Sequence, residues 1–198
     1  MKQIILLCIG ILWFGSMVHG QKYFDGNLVL ETGDSLVGLV GNGPNETFAF
    51  RKDMKTKPIY RKVEEVVGYQ FDEDVYRKYF VEVQMGNFPE HRVVFLKVMV
   101  EGIITLYEYN GKGLLRGEFT NHFLHHPGQD VPFRVPSNKR YFKQEMKNYF
   151  RDNEEIAEKI KSKEYGYDQL VEIVVKFNQW YETTMVEEEV EESEETEN

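Results

Sequence analysis

Val93-Val94-Phe95-Leu96-Lys97-Val98-Met99-Val100 carries a single charge in eight residues, and the reading of this run decides the fold. Glu101-Gly102 closes it, Ile103 to Tyr109 follows, and after Asn110-Gly111-Lys112-Gly113 comes Leu114 to Phe119. β-Branched and aromatic runs of strand length, separated by turn residues, predict three consecutive strands. Such runs suit burial on both faces, which places them at the centre of a sheet.

Toward the N-terminus the same period continues. Asn27 to Glu31 and Ser35 to Val40 flank Thr32-Gly33-Asp34, the composition of a tight hairpin. Gly38 inside the second run suggests a bulge or close packing. Thr47 to Arg51, Ile59 to Val63, Val66 to Phe71 and Tyr76 to Val83 follow at hairpin spacing, with Asp72-Glu73-Asp74 and Met85 to Glu90 as connections.

Toward the C-terminus the period becomes helical. Ser137 is a plausible N-cap for a helix that presents Phe142, Met146, Tyr149 and Phe150 on one side. Asp152 and Glu155 have capping-box spacing before Ile156 and Ile160, which predicts a second helix ending near Ser162. Asp168 then caps a third, with Leu170, Ile173, Val174, Phe177, Trp180 and Tyr181 on a broad apolar face. These faces need a partner, and the sheet is the one available.

The expected fold class is therefore α+β: a mainly antiparallel N-terminal sheet, either a sandwich or a partly open barrel, followed by three C-terminal helices packed on it. The β-rich body spans 21–126, a linker 127–136 and the helical segment 137–182. The tail 183–198 has too few apolar residues to fold and is expected to be disordered.

Residues 1–20 read as a cleavable signal peptide. Lys2 supplies the positive charge, Ile4 to Val18 the apolar run, and Val18-His19-Gly20 the small residues of a cleavage site that would leave Gln21 as the new terminus. The run is short for a spanning helix, and no later segment is long enough. The single cysteine, Cys8, lies inside this segment, so the mature chain has no thiol for a disulfide, a nucleophile or a thiolate metal site. Losing Lys2 takes the formal charge from −9 to −10, and nine glutamates lie between Glu182 and Asn198 without a lysine or arginine. The body without that tail is near neutral, and a body with no basic field is a poor partner for nucleic acid.

Gly26-x-Leu28, Gly33-Asp34-x-Leu36-x-Gly38, Phe95 to Gly102 running into Leu106-Tyr107, and Leu170 to Asn178 resemble a family of exported β-rich proteins common in Bacteroidota. The resemblance implies a strand-rich body, a helical C-terminal end and a location in the periplasm or outside a Gram-negative cell. It brings no catalytic residues and no activity with it.

His122-x-x-His125-His126 with Asp130 close behind is the sharpest constellation. Three imidazoles and a carboxylate suit zinc or another borderline metal. The spacing fits one face only on a helix, whereas the segment follows a strand and runs into Pro127-Gly128, so it reads first as a polar strand end and loop with exposed histidines, and as a metal site only second. None of Ser35, Ser137, Ser162 and Ser193 lies in a nucleophile elbow, and Gly41-Asn42-Gly43-Pro44 lacks the lysine of a phosphate loop. Glu64-Glu65 and Asp72-Glu73-Asp74 leave an acid and base pair for glycoside cleavage open. Tyr60, Tyr69, Tyr76, Tyr79, Tyr107 and Tyr109 fit either cross-strand packing or a ligand groove.

These residues point first to a secreted or periplasmic protein without enzymatic activity, a binding or structural module of the cell envelope whose partner is an envelope component, peptide or glycan. No cofactor is implied. The alternatives are a hydrolase or metal-dependent enzyme using His122, His125 and His126, and a carrier of a small apolar ligand beneath the strand Val93 to Val100.

Overall fold

The protein, seen in a computed structural model, is described over residues 22–85, 88–113 and 117–196. Residues 1–20, read from the sequence as a signal peptide, and Gln21 lie outside these residues. The described chain is α+β, a large antiparallel sheet followed by three helices.

The strands are β1 (Tyr23–Leu30), β2 (Ser35–Asn42), β3 (Thr47–Arg51), β4 (Ile59–Lys62), β5 (Val66–Phe71), β6 (Asp74–Met85), β7 (Phe88–Val100), β8 (Thr105–Gly113), β9 (Gly117–His125) and β10 (Phe133–Arg134). They form one ten-stranded sheet in the order β10-β9-β8-β7-β6-β5-β1-β2-β3-β4. The sheet is open, with β10 and β4 at its ends. Thr32-Gly33-Asp34 makes the β1–β2 hairpin, with Gly33 at φ +89° as a turn of that hand requires.

The three apolar runs do lie side by side as β7, β8 and β9, but toward one end of the sheet. Its middle falls to β5 and β6. Residues 114–116 of the third run lie outside the described residues, and the described part, β9, carries on from Gly117 through His125. The stretch read as a linker contains β10, which pairs Phe133 with Leu124 and Arg134 with Phe123.

Alternation along the strands sorts the apolar side chains into clusters on two faces. Leu106 and Leu124 belong to one cluster, their neighbours Tyr107 and Phe123 to a second on the opposite face, where Val81, Val83, Val94 and Leu96 join them. Phe95, between Val94 and Leu96, turns the other way and packs on a third cluster built around Leu28, Val40, Phe48 and Phe50. The second cluster is buried because the sheet curls around it. The Tyr79 ring on β6 lies 5.6 Å from the His125 ring on β9, although two strands separate them.

The first cluster is where the helices dock. α1 (Lys139–Tyr149), α2 (Glu154–Ser162) and α3 (Leu170–Thr196) turn Phe142, Met146, Phe150, Ile156, Ile160, Leu170, Ile173 and Phe177 onto Ile104, Leu106 and Leu124. These are the faces that the helical period picks out. The caps fall one residue later than read: Asn138 caps α1 and Asn153 caps α2, each accepting backbone N–H groups through Oδ1. Asp168 is not a cap. It sits in a 3-10 turn, Tyr167–Gln169, and the Gln169 side chain accepts the N–H of Gly166 at 2.9 Å.

α3 is described as far as Thr196. From Glu182 onward there is no glycine or proline to break it, and glutamate is a good helix former. Poverty in apolar residues removes a reason to pack, which is not the same as a reason to unwind.

One polar contact fixes α3 against the sheet. Asn178, buried, accepts the N–H of Ile104 and donates to its carbonyl, both at 2.9 Å. Gly102 makes room for it, since a Cβ there would overlap the Asn178 amide. Replacing Asn178 by Ala leaves a buried donor and acceptor without partners, each worth about 1–3 kcal/mol. Asn178→Ala should therefore lose about 2–4 kcal/mol in a denaturant titration followed by Trp180 fluorescence, and a change within error would refute the role assigned to this contact.

Candidate functional site

The histidines do not converge. Residues three apart on a strand face opposite sides of the sheet, and the partners follow that rule. His122 turns to the helices, with Nδ1 2.8 Å from the Tyr167 hydroxyl and Nε2 3.5 Å from Glu108. His125 turns to the other face, against the rings of Tyr79 and Tyr107, and its Nε2 lies 2.9 Å from the carbonyl of Gln129. His126 sits in the following turn, where its Nδ1 accepts the N–H of Gly128, and Asp130 is exposed. Among the described residues no group of three histidine, cysteine, aspartate or glutamate side chains is placed to share a metal ion. The set His122, His125, His126 and Asp130 is therefore corrected as a metal site: the first two are split by the sheet and the third by the turn.

The tyrosines mostly pack across strands. Tyr69 and Tyr76 are directly paired and stack at 4.5 Å, and Tyr69 packs on Phe48 and Phe95. Tyr107, fully buried, is held by its hydroxyl, 3.0 Å from that of Tyr79 and accepting from Arg77 at 3.1 Å. Burial, then the bond to Tyr107, pushes the Tyr79 phenol far above its ordinary range. The interior beneath Val93 to Val100 is filled by these rings and by Val81, Val83 and Leu96. The open space beside Phe95, 410 Å³, is bordered by Arg92, Lys97 and Glu108 and is not the apolar cavity that a carrier needs.

The helical layer holds a different feature. Between α1, the end of α2 and the 3-10 turn lies a groove of about 800 Å³, lined by Lys139, Arg140, Lys143, Lys163 and Tyr167, with Asp168 its one acid. Phe142 and Ile160 form apolar parts of its wall. None of the four cations makes an ion pair with a described residue, whereas Lys159, Lys161 and Lys176 of the same layer each pair with a glutamate.

Three of these positions work against local structure. Lys139 and Arg140 occupy the first turn of α1, which has no acidic residue, so positive charge meets the positive end of the helix. Lys163 follows α2 at φ +71°, the left-handed position that glycine fills at little cost and other residues at about 1 kcal/mol or more. These unfavourable choices are gathered at one concave place. Sequence reasoning missed all four, though the two cations at a helix start were there to be noticed.

Tyr167 joins the groove to the sheet. A carboxylate only accepts, so the proton of a neutral His122 belongs on Nε2 facing Glu108, and Nδ1 accepts from the Tyr167 hydroxyl. Burial lowers the His122 pKa below its ordinary 6.5, with Glu108 pulling the other way, and burial raises the Tyr167 phenol. This carboxylate–imidazole–phenol chain holds the groove's 3-10 turn onto β8 and β9.

No protein-family model matches the chain, and no curated protein and no solved structure gives a significant match.

A histidine held neutral in the fold binds its proton more readily when unfolded. Its stabilising contribution is complete above the unfolded value of 6.5 and is lost as the pH falls through the lower folded value. Stability measured by urea titration between about pH 7 and 5 should fall less steeply in His122→Gln than in the wild type; parallel curves would show that His122 is not held neutral.

Proposed function

We propose that the chain is an exported binding module of the cell envelope, without enzymatic activity, which takes up a short acidic segment in the groove between α1, α2 and the 3-10 turn. The observation that carries this reading is the set of four cations around one concave surface, none of them ion-paired among the described residues. Three of the four are lysines, point charges that suit carboxylates spaced along a chain rather than a planar group gripped by a fork. The formal charge of −9 repels long polyanions at a distance, which favours a short partner.

Export rests on the first twenty residues, with their charged start, apolar run and small residues before Gln21. No helix among the described residues is long and apolar enough to cross a membrane. In this reading the body is a partly open barrel, supported by the approach of Tyr79 to His125 and by the 3.0 Å pair between Arg134 of β10 and Glu82 of β6.

Titration of residues 21–198 with a short oligoglutamate peptide tests the groove. Saturable binding at low salt should be lost in the double variant Lys139→Glu/Lys143→Glu. Lys163→Gly should bind more weakly while its stability rises by about 1 kcal/mol or less. Absence of binding, or binding equal in all three proteins, would overturn the proposal.

A further inference from the structure

We infer that the acidic segment which fits this groove is carried by the protein itself: the end of α3 from a second copy, residues 187–195, docks between α1 and α2 and joins chains head to tail. The inference rests on the groove's being a site for acidic segments and names its occupant.

The first argument is charge. Residues 187–195 contain seven glutamates and no cation. The four lining cations outweigh the single lining acid, Asp168.

The second is that each partner is unfavourable alone. On a helix, residues four apart are neighbours, and like charges at that spacing repel. Glu187 and Glu191, Glu188 and Glu192, and Glu191 and Glu195 all stand in that relation within α3. Lys139 and Lys143 do so within α1, whose start already carries the wrong sign for its dipole. Contact between the two surfaces relieves both repulsions together.

The third is geometric, and it decides between the chain's own end and another's. The groove borders the first turn of α3, because Gly166 to Gln169 line it. A helix rises about 1.5 Å per residue, so Glu187, seventeen residues after Leu170, lies about 25 Å along the axis, and Glu195 about 38 Å. While α3 stays helical, a chain cannot place its acidic end in its own groove. A second copy can.

Such a contact is heterologous, using a different surface on each copy, so it leaves a free groove at one end and a free acidic helix at the other unless the rotation closes a ring. Exposed charge pairs are individually weak and screened by salt. The expected association is therefore modest and strongly dependent on ionic strength.

Sedimentation velocity over a concentration series of residues 21–198 tests this. Mass should increase with concentration at about 50 mM salt, and the association should weaken about tenfold or more at about 500 mM. Deleting 184–198 should leave a monomer with the thermal midpoint of the body unchanged. A groove variant, Lys139→Glu/Arg140→Glu/Lys143→Glu, should also be monomeric. Mixing the two must then give a one-to-one complex, since one supplies an intact groove and the other an intact helix end. Monomers throughout at low salt, association that survives the deletion, or a mixture that stays monomeric would each overturn the inference. If oligoglutamate binds the groove while the chain stays monomeric, the reading of the groove stands and only its occupant is wrong; if neither happens, both fall.

Discussion

Everything in this molecule depends on the burial of three helical faces against one patch of sheet. Ile104, Leu106 and Leu124 present an apolar surface on β8 and β9 that would otherwise face water. The helices are in the same position, since an isolated segment as short as α1 or α2 is marginal in water. With no cysteine after Cys8, no covalent tie constrains the unfolded chain. Removal of apolar surface from water, about 25 cal/mol per Å², is the main term left to hold the parts together.

The way the helices are held also places the groove. Asn178 fixes the axis of α3 at Ile104, and His122 with Glu108 fixes the 3-10 turn that precedes it. α1 and α2 lean on the same cluster through Phe142, Met146, Ile156 and Ile160. Lys139, Arg140 and Lys143 therefore project from a helix held on this frame, with Lys163 in the turn after α2, and the entropy of ordering them is partly spent during folding. On the opposite face the sheet buries tyrosines, and their hydroxyls find one another and Arg77, as buried polar groups must.

What could be read beforehand and what could not divide along physical lines. Hairpins with apolar flanks and turn residues were legible, as β3 and β5 show, because local rules set them. The helical faces were legible because Phe142, Met146, Ile173 and Phe177 repeat with the helix. The caps were displaced by one residue, since Ser137 and Asn138, or Asp152 and Asn153, are adjacent residues of equal capping ability. His122 and His125 were placed near a loop because histidine says little about strands. Pairing with β8, not propensity, extends β9 that far. β10 is two residues long and exists only through its neighbour. The groove joins residues 139–143 to 163–169, so only the fold assembles it.

The bond between Ile104 and Asn178 spans 74 residues, and the cluster that it anchors lacks Leu170, Ile173 and Phe177 until nearly the whole chain exists. Contacts between distant parts of a chain form late, because loop closure must precede them. A nascent polypeptide that has emerged only as far as α2 thus has strands with an uncovered face and no means of completing them. For a chain exported as we propose, the delay has a use: synthesis of the final helix acts as the timer, and until then the polypeptide stays loose enough to be threaded through a narrow translocation channel.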